Sequence, residues 1–117
     1  MKTTLVLISL LGCFVCGCNP PPIFYWGDYS ETLYTYKKTP DKKTLDAHKK
    51  TLLNIISEAP KNKQRIPPGV CAEYGYLLLN EGKESEGLEF LRKEQELFPE
   101  SRSFIQRLIN EYQRGKK

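Results

Sequence analysis

Beyond residue 28, apolar residues recur along the chain at intervals of three and four, which is the periodicity of amphipathic helices. Strand-like alternation of apolar and polar residues is hard to find there. The pattern therefore predicts an all-α fold of about four to five helices. The first helix is expected to start at Asp28, because Glu31 three residues later gives the arrangement of a capping box, and to run to about Lys38.

A second, longer helix is predicted to run through Ser57, with Thr39 as its N-cap and Pro40 at its first helical position. Its apolar stripe consists of Leu45, His48, Leu52, Ile55 and Ile56. Residues 59–68 are polar and contain three prolines, so they are predicted to form a loop.

A helical hairpin is predicted for residues 68–99, which have the sequence PGVCAEYGYLLLNEGKESEGLEFLRKEQELFP. Their spacing resembles the tetratricopeptide repeat of about 34 residues, with Gly75 and Gly87 at its small positions, Gly82 at the turn and Pro99 at its end. Small residues at Gly75 and Gly87 would let the two helix backbones approach closely. The space around them is expected to be filled by Tyr74, Leu78, Leu88 and Leu91.

The resemblance to this repeat is partial, because Cys71 stands where the repeat has Trp and Glu94 where it has Ala. After Pro99, a last helix is expected with Ser101 or Ser103 as its cap. Its apolar residues would shield the open side of the hairpin; they are Ile105, Leu108, Ile109 and Tyr112. With an irregular first hairpin ahead of it, the chain is predicted to be a short tetratricopeptide-like helical solenoid.

The N-terminus has a different composition. Lys2 precedes an apolar stretch over residues 5–15, which has the layout of a signal peptide and is shorter than the roughly 20 residues that span a bilayer. The stretch ends in Val-Cys-Gly-Cys at 15–18 and resembles the bacterial lipobox. That resemblance implies cleavage before Cys18, which would carry a diacylglycerol and an N-acyl lipid. Leu-Leu-Gly-Cys at 10–13 fits the same pattern, so Cys13 stays open as the lipidated residue.

These features divide the chain into a signal peptide (1–17), a lipid-anchored tether rich in proline and aromatic residues (18–27) and a helical domain (28–117). Pro20, Pro21 and Pro22 favour an extended polyproline conformation, which suits a spacer. Asn19 follows the expected lipidated residue, and resemblance to the enterobacterial sorting rule implies the outer membrane. We expect the domain to face the periplasm, although the sorting rule does not distinguish the two sides of the outer membrane.

Charge and residue chemistry argue for binding rather than catalysis. The 117 residues carry a formal net charge of +4 with both signs interspersed, which does not predict a nucleic-acid surface. His48 is the single histidine and fits the apolar stripe, while Cys71 is expected to be a buried small hydrophobic residue. Because no catalytic order, metal-ligand spacing or glycine-rich phosphate loop is present, we expect no enzyme activity, no metal and no cofactor apart from the lipid.

Aromatic residues are concentrated in residues 23–36, IFYWGDYSETLYTY, directly after the tether. Tyr and Trp dominate the energetics of many protein interfaces, so this stretch is a candidate partner-binding surface. The alternative is that the rings form the core, which is favoured for Trp26 and Tyr34, while both roles stay open for Tyr25 and Tyr29. The candidate binding residues are Tyr25, Trp26, Asp28, Tyr29, Tyr34 and Glu73.

Two blocks of the sequence, YWGDYSETLY at 25–34 and PPGVCAEYGYLLLNEGKESEGLEFLRKEQELFPES at 67–101, together resemble a family of small bacterial lipoproteins of unknown function with tetratricopeptide-like character. The family resemblance implies neighbouring genes for a lipoprotein that resembles the curli secretion channel protein CsgG and for another lipoprotein. We therefore expect an outer-membrane-anchored adaptor that binds envelope proteins. The alternative hypothesis is a regulator of peptidoglycan synthesis, or a glycan-binding envelope protein that uses its aromatic surface.

Overall fold

The computed structural model describes Gly17 and residues 19–116. The apolar stretch over 5–15, Cys13 and Cys18 lie outside the described residues. Within the described part the fold is all-α, as the sequence predicts, and its one β-type pairing is an isolated bridge between Phe24 and Arg65. The helices are α1 (Tyr29–Lys38), α2 (Lys42–Lys61), α3 (Val70–Asn80), α4 (Glu84–Leu97) and α5 (Arg102–Gly115), with a 3-10 turn (Pro99–Ser101) before α5.

The caps of α1 and α2 differ from the sequence prediction. Asp28 is the N-cap of α1, but its side chain makes no capping hydrogen bond, because its backbone is not in the extended conformation that a side-chain cap needs. α2 is capped by Asp41 and not by Thr39. Asp41 is extended and accepts the backbone N–H of Thr44 at 2.8 Å, while the Thr44 hydroxyl accepts the Asp41 N–H at 3.2 Å. This reciprocal pair satisfies two free N–H groups at the helix start, which a Thr39 cap followed by Pro40 does not achieve.

The predicted loop over 59–68 is too long, since α2 continues to Lys61. Pro60 lies in the last turn of the helix, where the loss of one backbone hydrogen bond costs little because few turns follow. The preceding residue, Ala59, is fully buried, so extending the helix places an apolar side chain in the core. Gln64 N–H then donates to the carbonyl of Ala59 at 2.9 Å and closes the end of the helix.

The predicted α3–α4 hairpin is confirmed. Gly75 and Gly87 are both buried and face each other across the two helices, and the turn residue Gly82 has a φ of 79°, a backbone conformation that favours glycine. Tyr74 and Phe90 pack edge to face beside this contact, with ring centroids 4.7 Å apart. The close approach of the two backbones is therefore filled by aromatic and aliphatic side chains on either side.

Glu94, the departure from the repeat pattern, is 2 % exposed and is one of two buried polar or charged residues in the described part of the chain. Its carboxylate accepts the backbone N–H groups of Gly69 at 2.7 Å and Ala72 at 3.2 Å. These groups lie at the start of α3, which has no capping side chain of its own. A residue of α4 thus caps the N-terminus of α3, where a negative charge is favourable.

The start of α5 also differs in detail from the prediction. Ser101 is its N-cap residue but makes no side-chain capping bond, because its backbone is already helical. Its hydroxyl donates to the carbonyl of Phe98 at 2.7 Å instead, within the 3-10 turn.

The core consists of two clusters. The first lies between α2, α3 and the loop that joins them: Leu52, Ile55, Ile56, Ala59, Ile66, Val70 and Cys71. The second joins the hairpin to α5: Ala72, Leu79, Leu91 and Ile105, with Leu88, Leu108, Ile109 and Tyr112 packed against it. The predicted shielding of the hairpin by α5 is confirmed, and so is the burial of Cys71, which is fully inaccessible.

The segment before α1 is attached to the body. Tyr25 N–H donates to the carbonyl of Arg65 at 3.0 Å, and Arg65 N–H donates to the carbonyl of Ile23 at 2.9 Å. The Gln64 side chain donates to the Pro22 carbonyl at 2.7 Å. The folded body therefore begins at about Ile23, inside the stretch that the sequence assigns to the tether. None of the helices in the described residues is long and apolar enough to cross a membrane.

Candidate functional site

An open groove of about 500 Å³ lies between α3, α5 and the segment that precedes α1. We call it the apolar groove. Its volume falls within the range of ligand-binding pockets, about 300–1,000 Å³. The residues that line it are Trp26, Tyr29, Pro68, Gly69, Ala72, Glu73, Tyr76, Phe104 and Leu108.

The helical periodicity explains why these residues share one surface. Gly69, Ala72, Glu73 and Tyr76 follow one another at steps of three, one and three residues, so they lie on one face of α3 and at its cap. Gly69 and Ala72 are small and leave space above the helix. Phe104 and Leu108, four residues apart on α5, form the opposite wall. The groove is therefore floored by small residues and walled by large ones.

Trp26, Tyr29 and Glu73 are the predicted binding residues that the structure brings together in this groove. Trp26 is 45 % exposed and packs edge to face on Tyr29, with ring centroids 5.3 Å apart. The preference for Trp26 as a core residue is therefore wrong. The core is filled by aliphatic residues of α2 to α4, so the aromatic segment contributes only Tyr25 and Tyr29 to it.

The other predicted binding residues lie elsewhere. Tyr25 packs against the first core cluster. Tyr34 is 66 % exposed, so its predicted place in the core is wrong as well, and its ring lies 5.9 Å from the Lys38 ammonium group. Asp28 lines a separate open pocket of about 470 Å³ over α2, together with Lys50. The structure thus splits the predicted set between the groove, the core and two other parts of the surface.

Glu73 is held in place by a hydrogen-bond network at the edge of the groove. Its Oε2 accepts the Tyr29 hydroxyl at 2.8 Å, and its Oε1 lies 3.0 Å from Nε2 of His48. His48 is fully buried, and its Nδ1 lies 2.9 Å from the Thr32 hydroxyl. The ring of Tyr36 is nearly parallel to the imidazole, at a centroid distance of 6.2 Å. The network connects α1, α2 and α3 behind a carboxylate that faces the groove.

The hydrogen-bond partners assign the proton on the imidazole. An ionised carboxylate only accepts hydrogen bonds, so Nε2 of His48 carries the proton that bonds Glu73. In the neutral ring, Nδ1 then accepts the Thr32 hydroxyl; in the charged ring, Nδ1 donates to it. Burial, together with the Glu73 carboxylate, raises the pKa of Tyr29 to about 12, so its hydroxyl remains a donor at neutral pH.

His48 and Cys71, two residues whose side chains could carry chemistry, are buried and do not line the groove. His48 lies behind Glu73 and is inaccessible, and burial raises the pKa of the Cys71 thiol to about 12, which keeps it unreactive at neutral pH. No group of three His, Cys, Asp or Glu in the described residues is arranged to hold a metal ion. What the arrangement can do is hold an apolar ligand beside one fixed carboxylate.

Sequence reasoning missed Tyr76 and Phe104 as groove residues. Both were visible in the periodicity: Tyr76 follows Glu73 by three residues, and Phe104 precedes Leu108 by four. The sequence pattern predicts only a shielding role for the apolar stripe of α5. Leu108 does both, because it packs against the second cluster and also lines the groove.

A model of the family described as Domain of unknown function (DUF4810) matches residues 23–108. No curated protein and no solved structure matches the chain. The match begins at Ile23, where the folded body begins, and ends at Leu108 in the wall of the groove. It therefore includes every residue of the apolar groove.

Proposed function

We propose that this chain, which belongs to the family described as Domain of unknown function (DUF4810), is an outer-membrane-anchored lipoprotein. It acts as a protein–protein interaction adaptor. It works in an envelope assembly with other lipoproteins, among them one that resembles the curli secretion channel protein. Its partners bind in the apolar groove, and lipid on Cys18 holds it to the membrane on the periplasmic side.

The observation that carries this proposal is the exposure of three large aromatic rings in one groove. Trp26 and Tyr76 are each 45 % exposed, and Phe104 is 55 % exposed. Exposed aromatic residues at the centre of an apolar surface are typical of partner-binding sites, since their burial supplies most of the binding free energy. Helical-repeat proteins commonly bind peptides or helices in concave surfaces of this kind.

Photo-crosslinking in intact cells tests the adaptor role. A photoreactive amino acid replaces Tyr76 or Phe104 in the groove, and in a matched control it replaces Gln113, an exposed residue nine positions along α5 from Phe104 and so on its opposite side. We expect the groove positions, and not Gln113, to form adducts with an envelope lipoprotein that mass spectrometry identifies. Absence of adducts, or equal adducts at all three positions, would contradict the proposal.

Binding to purified peptidoglycan separates the alternative hypothesis from the adaptor. Aromatic rings also stack on sugars, so the groove residues Trp26 and Tyr76 would be used by a glycan-binding protein as well. Sedimentation of the protein with peptidoglycan sacculi, abolished by Trp26→Ala while the helical circular dichroism is unchanged, would replace the adaptor with that alternative. We expect the wild type to sediment no more than it does without sacculi. Tyr34→Ala, which alters an exposed ring outside the groove, is the matched control for Trp26→Ala.

A further inference from the structure

Glu73 is the only Asp, Glu, Lys or Arg among the described residues that line the apolar groove. Its side chain is 30 % exposed, so the carboxylate reaches the solvent that fills the groove. The surrounding walls are aromatic and aliphatic. A single negative charge at a fixed point in an apolar surface is a determinant of specificity, because it selects a partner that carries a complementary charge at one position.

The partners of Glu73 within the protein differ from those of three carboxylates that form ion pairs with lysine, Glu58, Glu81 and Glu84. Glu81 pairs with Lys49 and Lys83, and Glu84 pairs with Lys116. Glu58 pairs in the same way with Lys61. Among the described residues, Glu73 forms no such pair with Lys or Arg, and it is bonded instead to a tyrosine and a buried histidine. Its charge is therefore positioned by the fold without a permanent cation beside it in the groove.

We propose that the apolar groove binds an amphipathic segment of a partner protein in which one Lys or Arg pairs with Glu73, while apolar side chains of the segment pack on Tyr76, Phe104 and Leu108. This rests on the adaptor role proposed above and names the chemistry of the partner. A carboxylate oxygen has two lone pairs, and each oxygen of Glu73 uses one inside the protein. The remaining lone pairs accept the cationic donor.

The geometry of α3 sets the spacing of the partner. Glu73 and Tyr76 are three residues apart on the same face, slightly less than one helical turn, or about 4.5 Å along the axis at 1.5 Å per residue. A partner helix reproduces this spacing with its basic residue three or four positions from a large apolar residue. Because Tyr29 and His48 already hold the carboxylate, the Glu73 side chain loses little conformational entropy when the partner binds.

A peptide selection on the full-length protein, purified from the cells that express it, tests this inference. A library of random linear peptides is selected on the wild-type protein and, separately, on Glu73→Gln. Gln keeps an oxygen acceptor for Tyr29 and removes the charge. Glu86→Gln, which neutralises an exposed carboxylate on α4 away from the groove, is the matched control.

We expect wild-type selections to enrich one Lys or Arg at three or four positions from a large apolar residue. Glu73→Gln should abolish that enrichment and weaken the selected peptides by about tenfold or more, while Glu86→Gln leaves them unchanged. Phe104→Ser, which alters an exposed side chain, should weaken them as well. Apolar peptides that lack the basic residue but still depend on Phe104 would overturn this inference and leave the adaptor role standing. Failure to select any peptide that depends on Phe104 would count against both.

Discussion

A Cβ atom on Gly75 would lie 2.7 Å from the carbonyl oxygen of Gly87. The backbones of α3 and α4 are thus in direct contact at this point, and neither residue has room for a side chain. The reciprocal distance is similar, since a Cβ on Gly87 would lie 2.8 Å from the Gly75 oxygen. Because backbone atoms cannot rotate away as side chains do, this contact fixes how closely the two helices pack.

Replacing either glycine with alanine should therefore destabilise the protein. We expect Gly75→Ala and Gly87→Ala each to lower the free energy of unfolding by about 1–3 kcal/mol, despite the better helix propensity of Ala. The control is Gly115→Ala, which adds the same methyl group at the end of α5, where nothing lies within 4 Å. Urea denaturation followed by circular dichroism measures all three. Equal stability of the three variants would show that the helices can separate without cost.

Glu94 should contribute strongly to stability, because it caps α3 from within the core. Glu94→Ala restores the residue usual in the repeat, but it leaves the buried N–H of Ala72 and the partly buried N–H of Gly69 without their acceptor and creates a cavity. We expect a loss of about 2–4 kcal/mol in the free energy of unfolding and a smaller loss for Glu94→Gln, which keeps one acceptor. Glu96→Ala, at an exposed position of α4, is the control for the same assay. A neutral Glu94→Ala would contradict the assigned capping role.

The thiol of Cys71 should react slowly while the protein is folded. Its pKa is raised from 9.0 to about 12, first by burial and then by the nearby Glu94 charge. Three pKa units correspond to about a 1,000-fold smaller thiolate fraction at neutral pH. A chain beginning at Asn19 contains Cys71 as its only cysteine and both core clusters. We expect its reaction with a disulfide reagent at pH 8 to be at least about 100-fold slower than in urea; comparable rates would show that the site is open.

Tyr29 should remain protonated well into the alkaline range, since its pKa is raised from 10.0 to about 12. The folded pKa exceeds the unfolded one, so the stabilisation is complete below pH 10 and is lost as the pH rises towards 12. We expect the phenolate absorbance of the wild type and of Tyr29→Phe to coincide up to a pH of about 11. The free energy of unfolding of Tyr29→Phe should fall less steeply between pH 10 and 12. A phenolate signal from Tyr29 that develops near pH 10 would rule out its bond to Glu73.

The proposed lipid anchor predicts the N-terminal residue and the mass of the mature protein. Protein extracted from native membranes should begin at Cys18 and carry the mass of a diacylglycerol and an N-acyl chain on that residue. Cys18→Ser should abolish acylation, and Cys13→Ser should leave it intact, because Cys13 is removed with the signal peptide. Intact-mass analysis with fragmentation of the N-terminal peptide distinguishes the two. Acylation at Cys13, or an unmodified chain starting at Met1, would contradict the prediction.

The helical fold could be predicted from the sequence because its main signals are local. Gly75, Gly82 and Gly87 stand at the spacing that a close-packed hairpin needs, and the structure confirms them. The caps were less accessible to prediction. Asp41 and Thr39 are both acceptable N-cap residues, and only the backbone conformation decides between them.

The candidate site could be predicted only in part, because it depends on contacts between distant segments. Glu73 was selected from its neighbourhood in the sequence, but its bond to Tyr29 joins residues 44 positions apart. Periodicity cannot show such a pairing. In the same way, the exposure of Trp26 follows from a core that aliphatic residues already fill, which is a property of the whole fold.

The hydrogen bond between Ile23 and Arg65 also determines how far the folded body can lie from the proposed lipid anchor. With the lipid on Cys18, four residues lie between the anchor and Ile23, so the five steps along the chain span at most roughly 18 Å at about 3.6 Å per residue. Trp26, at the rim of the groove, follows only three residues later. A chain anchored in the proposed way would therefore meet its partner close to the bilayer surface. If the partner is also lipid-anchored, both proteins diffuse in the plane of the same membrane. A short spacer then raises the effective concentration of each protein near the other, so that even a weak contact in the groove can hold them together.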